Sequence, residues 1–99
     1  MRRGKDETLA LIRQCLATDR YRMTLHFRWR MAERGLVWAD ILAVASDPGD
    51  VRWARQDEYG RDKWIVCGQA GDGLGVELVC VMDVDEQGNV VVLVTIYTL

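Results

Sequence analysis

The hydrophobic period of the chain changes once, at Asp47-Pro48-Gly49-Asp50. That change constrains the fold more than any other feature. Before it, apolar residues recur at helical spacing: Leu9, Ile12 and Leu16 on one face, then Val37, Ile41, Val44 and Ala45 on another. After it come short apolar runs separated by polar, Gly-containing turns, the pattern of consecutive strands joined as hairpins. Helices first and strands afterwards predict an α+β domain with the helices packed on one sheet.

The predicted elements follow from the local residues. A first helix covers residues 6–17, with Asp6 or Thr8 available as its cap, and residues 21–23 form a short extended segment. Thr24 is suited to cap a second helix over residues 24–34, and Gly35 to end it, with Arg34 well placed in the last turn. A third helix over residues 38–45 is stopped by Asp47-Pro48-Gly49-Asp50. Strands are expected over residues 51–55, 63–70, 76–84 and 90–98. The expected architecture is therefore three N-terminal helices followed by a four-stranded antiparallel meander, a single domain over residues 1–99. The last two strands are apolar at nearly every position (Val90-Val91-Val92-Leu93-Val94), which predicts central strands covered on both faces. If helices cover only one face, the other is free for a partner.

At 49% hydrophobic residues the chain can build a core without disulfide or metal staples. No apolar stretch is long enough to cross a membrane, and the basic start Met1-Arg2-Arg3-Gly4-Lys5 is followed by polar residues rather than a signal-peptide core. The expectation is a cytoplasmic protein without membrane association. Cys15, Cys67 and Cys80 are odd in number and lack a C-x-x-C pair, which favours free thiols packed as small hydrophobes. With one histidine, they do not make a zinc site, so no metal or cofactor is expected. Charge is unevenly placed. Residues 1–34 hold nine Lys/Arg against four Asp/Glu, and residues 35–99 hold four against eleven. An electropositive patch can thus exist on an acidic protein, to meet an anionic ligand, an acidic partner or the chain's own acidic half.

Two segments invite chemical readings that their context does not support. Gly71-Asp72-Gly73-Leu74-Gly75 joins two strands rather than opening a helix and lacks a following Lys-Ser/Thr, so it reads as a hairpin loop rather than a phosphate cradle. Asp83, Asp85 and Glu86 cluster at a turn without an EF-hand pattern. The helix over residues 24–34 is more informative. His26, Arg30 and Arg34 follow one another at i, i+4 and i+8 and form a cationic stripe. Phe27 and Met31 flank it, and Leu25, Trp29 and Ala32 make a second apolar stripe, so the helix has two surfaces to pack: one against the domain's sheet, the other against neighbouring helices or another chain. Arginines beside a core mark either structural ion pairs or an anion site, and both readings stand at this point.

The run Thr24-Leu25-His26-Phe27-Arg28-Trp29-Arg30-Met31-Ala32-Glu33-Arg34-Gly35-Leu36, with the helix and break after it and the closing Thr95-Ile96-Tyr97, resembles domain-of-unknown-function family 4258. That family is commonly grouped with bacterial toxins of the RelE, BrnT and MqsR kind. The resemblance implies a RelE-like helix-plus-antiparallel-sheet fold and a toxin-like component of a toxin–antitoxin system, a metal-independent endoribonuclease checked by a small antitoxin, in some relatives a zinc-binding one. In such chemistry the 2′-OH attacks phosphorus, a base takes its proton and cations stabilise the transition state. On this chain the implied roles fall to His26 as acid/base, Arg30 and Arg34 as phosphate clamps, Tyr97 as second proton carrier or stacking ring, and Lys63 as a further substrate contact among the strand cations Arg52, Arg55 and Lys63. If residues 85–89 form the last loop, Val84 pairs with Val90 and Glu77 with Tyr97, making Glu77 a candidate general base. A slip of one residue would send Tyr97 to the opposite face. The alternative function is a non-enzymatic interaction module of the same fold, binding another protein or a second copy of itself as a homodimer.

Overall fold

The computed structural model describes residues 2–99. Helices α1 (Lys5–Ala17), α2 (Leu25–Glu33) and α3 (Trp38–Ser46) and strands β1 (Tyr21–Met23), β2 (Asp50–Gln56), β3 (Asp62–Gln69), β4 (Gly75–Asp85) and β5 (Gly88–Thr98) form an α+β domain. The sheet has five strands in the order β1-β5-β4-β3-β2. Strands β2 to β5 are the expected antiparallel meander. The extended segment before α2 corrects the four-stranded picture: it is a fifth strand, paired parallel to β5 through Tyr21↔Val91, Arg22↔Val92 and Met23↔Leu93. Three residues carry no usable alternation, and their partner lies at the far end of the chain, so nothing local announces the pairing.

Each helix is closed by an identifiable device. α1 buries Thr8, Ile12, Cys15 and Leu16. Its chain then reverses through Asp19 at φ 58°, a left-handed conformation that aspartate tolerates better than most residues. The Thr24 hydroxyl accepts from the Phe27 N–H (3.0 Å), capping α2, and donates to the Val94 carbonyl (2.8 Å), tying that cap to β5. α2 ends in a Schellman motif: Gly35 sits at φ 65°, its N–H donates to Ala32 O (3.2 Å), and the Leu36 N–H donates to Met31 O (2.9 Å). Arg13 reaches from α1 to the last carbonyls of α3, with Nε on Ala45 O (2.7 Å) and a terminal nitrogen on Ser46 O (2.6 Å). A cation at a helix C-terminus also opposes the helix dipole. Asp40 accepts from the Val37 N–H at the start of α3 and from the Gly71 N–H in the β3–β4 loop, so the glycine-rich segment is a hairpin loop anchored to α3.

The core lies between the helices and one sheet face, with Ile12, Phe27, Ile41, Val44, Val66, Val76, Leu78, Leu93 and Ile96 essentially closed to solvent. α1 packs on β5, β2 and α3, α3 packs on β3 and β4, and α2 lies along β5. Contact is tightest at Gly68: a Cβ there would sit 3.1 Å from Val44 O and 3.2 Å from a Val44 methyl, so the absence of a side chain lets α3 approach β3.

Two β-bulges decide which side chains share a face. The β4–β5 turn is tighter than expected: Asp85 pairs with Gly88 and Val84 with Asn89, not with Val90. Continued without interruption, that register would set Glu77 opposite Ile96. An extra residue, Val94, lies between the Val79↔Thr95 and Cys80↔Leu93 pairs and restores Glu77↔Tyr97. A second bulge at Ala54 separates Arg55↔Lys63 from Trp53↔Trp64 and gives Arg52↔Ile65.

Candidate functional site

No helix among the described residues packs on the second face of the sheet, yet its central residues Val79, Val81, Val90, Val92 and Thr95 are buried, in line with the expectation of central strands covered on both sides. Alternation places Cys67, Glu77, Val79, Val81, Thr95 and Tyr97 on this open face. Val81 is nonetheless only 1% exposed. Its cross-strand neighbours are Lys63 and Val92, and Val92 is followed by Arg22 on β1, so long cationic stems flank the central valines. Such stems lie over apolar surface while their charged ends reach water.

One end of the open face carries a polar row across four strands: Asp50↔Cys67↔Glu77↔Tyr97. Arg52 binds three members of it. One terminal nitrogen lies 3.0 Å from Asp50 Oδ2 and 3.4 Å from Cys67 Sγ, and the other 3.4 Å from Glu77 Oε2. The Cys67 thiol donates to the same Glu77 oxygen at 3.6 Å. The bond to Asp50, then those to Cys67 and Glu77, push the Arg52 pKa further above its already high value. Burial is the largest influence on Cys67 and raises its pKa; Arg52 opposes this and the Glu77 charge adds to it. Cys67 is thus a neutral thiol and a poor nucleophile, and all three cysteines are free. Burial alone pushes Cys80 to about 12.

At the other end of the row, Tyr97 is 49% exposed and the Arg30 guanidinium carbon lies 5.7 Å from its ring centroid. Arg30 comes from α2, where its Nε donates to the Ile96 carbonyl (3.1 Å). That carbonyl lies on β5 beyond the last residue paired with β1, so Arg30 satisfies a strand edge that β1 does not reach. Its side chain is only 19% exposed, and a remote Glu33 oxygen lies 3.7 Å away. Arg30 is therefore both a structural tie and a charge beside Tyr97, which combines the two readings of the stripe. Thr95, two residues before Tyr97, holds its hydroxyl buried with no hydrogen-bond partner among the described residues.

The structure thus brings Arg30, Glu77 and Tyr97 together. His26 lies one turn ahead of Arg30 on α2, exposed, beside a shallow notch of about 190 Å³ that it lines with Leu25 and Trp29. Arg34 is exposed at the end of α2 and forms no ion pair among the described residues. Lys63 is on the open face but four residues along β3 from Cys67, roughly 13 Å away at about 3.3 Å per residue, and is not part of the row.

The family model described as a domain of unknown function (DUF4258) matches residues 23–98. The chain belongs to this family. No curated protein and no solved structure matches it. In this DUF4258 domain the matched region begins at the last residue of β1, so α1 lies outside it, while α2, α3 and the whole meander lie within.

Asp50 and Cys67 of the row, and Arg52 that binds them, are the residues that the sequence does not assign to it. Register carried from the β2–β3 turn without the Ala54 bulge would set Arg52 opposite Val66 on the core face, and that bulge is silent in the residue pattern. The rest of the open face is dominated by ion pairs. Asp83 accepts from Arg22 (2.9 Å) and from Arg61 (3.0 Å), Asp57 holds Arg61 (2.8 Å), and Asp85 pairs with Arg20. Asp83 and Asp85 of the acidic turn therefore hold arginines. Among the described residues no group of three or more His, Cys, Asp or Glu could hold a metal ion.

Proposed function

We propose that this DUF4258 domain is a toxin-like endoribonuclease acting on single-stranded RNA without a metal, held in check in the cytoplasm by a small antitoxin. The Glu77–Tyr97 pair carries the reading: a carboxylate and a phenol stand opposite each other on the open face, between Arg52 and Arg30. Opposite residues on neighbouring strands have Cβ atoms about 5 Å apart, a spacing that suits two groups acting on one phosphodiester. Glu77 takes the proton of the attacking 2′-OH, and the half-exposed Tyr97 supplies a proton to the leaving 5′ oxygen or stacks on a base. The remaining Arg30 nitrogens stabilise charge on the phosphoryl oxygens, and Arg34 engages a neighbouring phosphate. His26, on the helix side of Arg30, is the alternative acid.

A second reading, a non-enzymatic interaction module, is favoured by one observation: Arg20, Arg22, Arg52 and Arg61 are all tied to carboxylates, which reduces the free positive charge available to RNA. Inducible expression in bacteria separates the two. The toxin reading expects growth arrest by the wild type, relieved by Glu77→Gln or Tyr97→Phe in protein that is still soluble and folded. His26→Ala then decides between Tyr97 and His26 as the acid. Normal growth with abundant folded wild-type protein refutes the toxin reading.

A further inference from the structure

Leu25 is 82% exposed and Trp29 70% exposed, one turn apart on α2. The same helix is anchored from its opposite side by Phe27, which is fully buried, by the Thr24 cap and by Arg30 on Ile96 O. The sequence marks two apolar stripes on this helix, and the domain uses only one. The unused stripe, Leu25, Trp29 and Ala32, lies on solvent. Arg28 flanks it, exposed and without an ion pair among the described residues, although the whole chain is net −2 and pairs most of its sheet-face arginines internally. His26 borders the notch on the other side.

We infer that this side of α2 is a docking surface for a short acidic segment of another protein that presents apolar side chains beside Asp or Glu. Charge complementarity selects the occupant. The apolar stripe supplies the area that water leaves, and the unpaired Arg28 rewards a carboxylate at its edge. A second copy of the chain fits poorly, because a twofold interface through the same stripe would set Arg28 against its own equivalent, while Glu33 on the other edge already faces Arg30 at 3.7 Å. The stripe is about 10 Å long at about 1.5 Å per residue, the dimension of one side of a partner helix. The inference does not depend on the ribonuclease reading, because none of Leu25, Arg28 and Trp29 belongs to the Glu77–Tyr97 row.

The test uses the intact protein and fluorescently labelled probes read by anisotropy. They are a synthetic helical peptide with leucines at i, i+4 and i+7 flanked by glutamates, the same peptide with lysines for the glutamates, a single-stranded RNA, and vesicles of phosphatidylserine and phosphatidylcholine. The acidic peptide should bind and the basic one should not. Trp29→Ser or Leu25→Ser should weaken binding at least about tenfold, as truncation of a central aromatic anchor does. Arg28→Glu should abolish the preference for the acidic peptide. Both serine variants change exposed residues, so retained helicity and thermal midpoint exclude misfolding. Four results each overturn the inference: no binding of the acidic peptide, binding unaffected by Trp29→Ser, tighter binding of RNA or vesicles through the same residues, or a wild-type dimer that Trp29→Ser dissolves.

Discussion

At the scale of single residues, two side chains set the character of the open face. Arg52 touches Asp50, Cys67 and Glu77 at once, so replacing it removes the cation that steadies Glu77. Arg52→Ala should leave the fold intact, since exposed ion pairs contribute only about 0–1 kcal/mol each, while lowering any activity that needs Glu77 in place. Paired measurement of the thermal midpoint and the cleavage rate checks this. Thr95 presents the opposite case. A buried hydroxyl without a partner costs about 1–3 kcal/mol, and Thr95 holds one on the open face. Thr95→Val keeps the shape and removes the orphan, so it should raise the midpoint of chemical denaturation. A fall would show that the hydroxyl is hydrogen-bonded in solution. The acidic residues carry a pH dependence of definite sign. The Val84 N–H, then Arg61, holds Asp83 below the ordinary carboxylate value, and Arg20 does the same for Asp85. At Asp57 burial pushes upward but is outweighed by hydrogen bonds from Arg61 and Tyr59. Depressed carboxylates contribute stability above their unfolded pKa of about 4, and that contribution is lost as pH falls through the lower folded values. The thermal midpoint should therefore fall below about pH 4, and Asp83→Asn should flatten that fall.

At the scale of elements, the bulges are the decisive features. If Val94 were paired in the ladder instead of bulging out of it, the two-residue β4–β5 turn would set Ile96 opposite Glu77 and turn Tyr97 toward the core. Deleting Val94 should therefore close the ladder with Thr95, Ile96 and Tyr97 still opposite Val79, Leu78 and Glu77, so the thermal midpoint should fall only modestly, whereas deleting Thr95 as well would turn Ile96 and Tyr97 to the opposite faces. Gly68 marks the closest approach of α3 to β3, and Gly68→Ala should cost about 1–3 kcal/mol, measurable by denaturant titration. These elements also show what the sequence discloses. The helices were legible because Thr24, Gly35 and Asp47-Pro48 punctuate them, and the meander because each turn carries glycine. The Glu77–Tyr97 pairing was expected from a longer loop and arises instead from a tight turn plus a bulge, two deviations that cancel in register. The residue pattern offers no register between β2 and β3, so Arg52 is legible only as one of three strand cations, and Asp50 and Cys67 give no sign of lying beside it. Strand β1 was hidden by its length and by its partner lying some 70 residues away.

At the scale of the whole molecule, charge and topology divide the labour. The basic first third and the acidic remainder meet across the sheet: Arg20 and Arg22 from around β1 bind Asp85 and Asp83 from the end of β4. That exchange consumes much of the positive charge that the sequence left available for a ligand, and it closes the open face around β1 and β4. What stays open is the opposite end, where the meander, α2 and β2 deliver Tyr97, Glu77, Arg30 and Arg52 to one row. The proposed ribonuclease activity requires this row to cleave RNA through Glu77. The most direct measurement is single-turnover cleavage of a fluorescent single-stranded RNA in EDTA, with mass analysis of the product ends. A 2′,3′-cyclic phosphate formed by the wild type and a rate reduced about 10²–10⁴-fold by Glu77→Gln, with unchanged thermal midpoint, is the expected result. Equal rates for the wild type and Glu77→Gln, or no cleavage by folded wild-type protein, would contradict it.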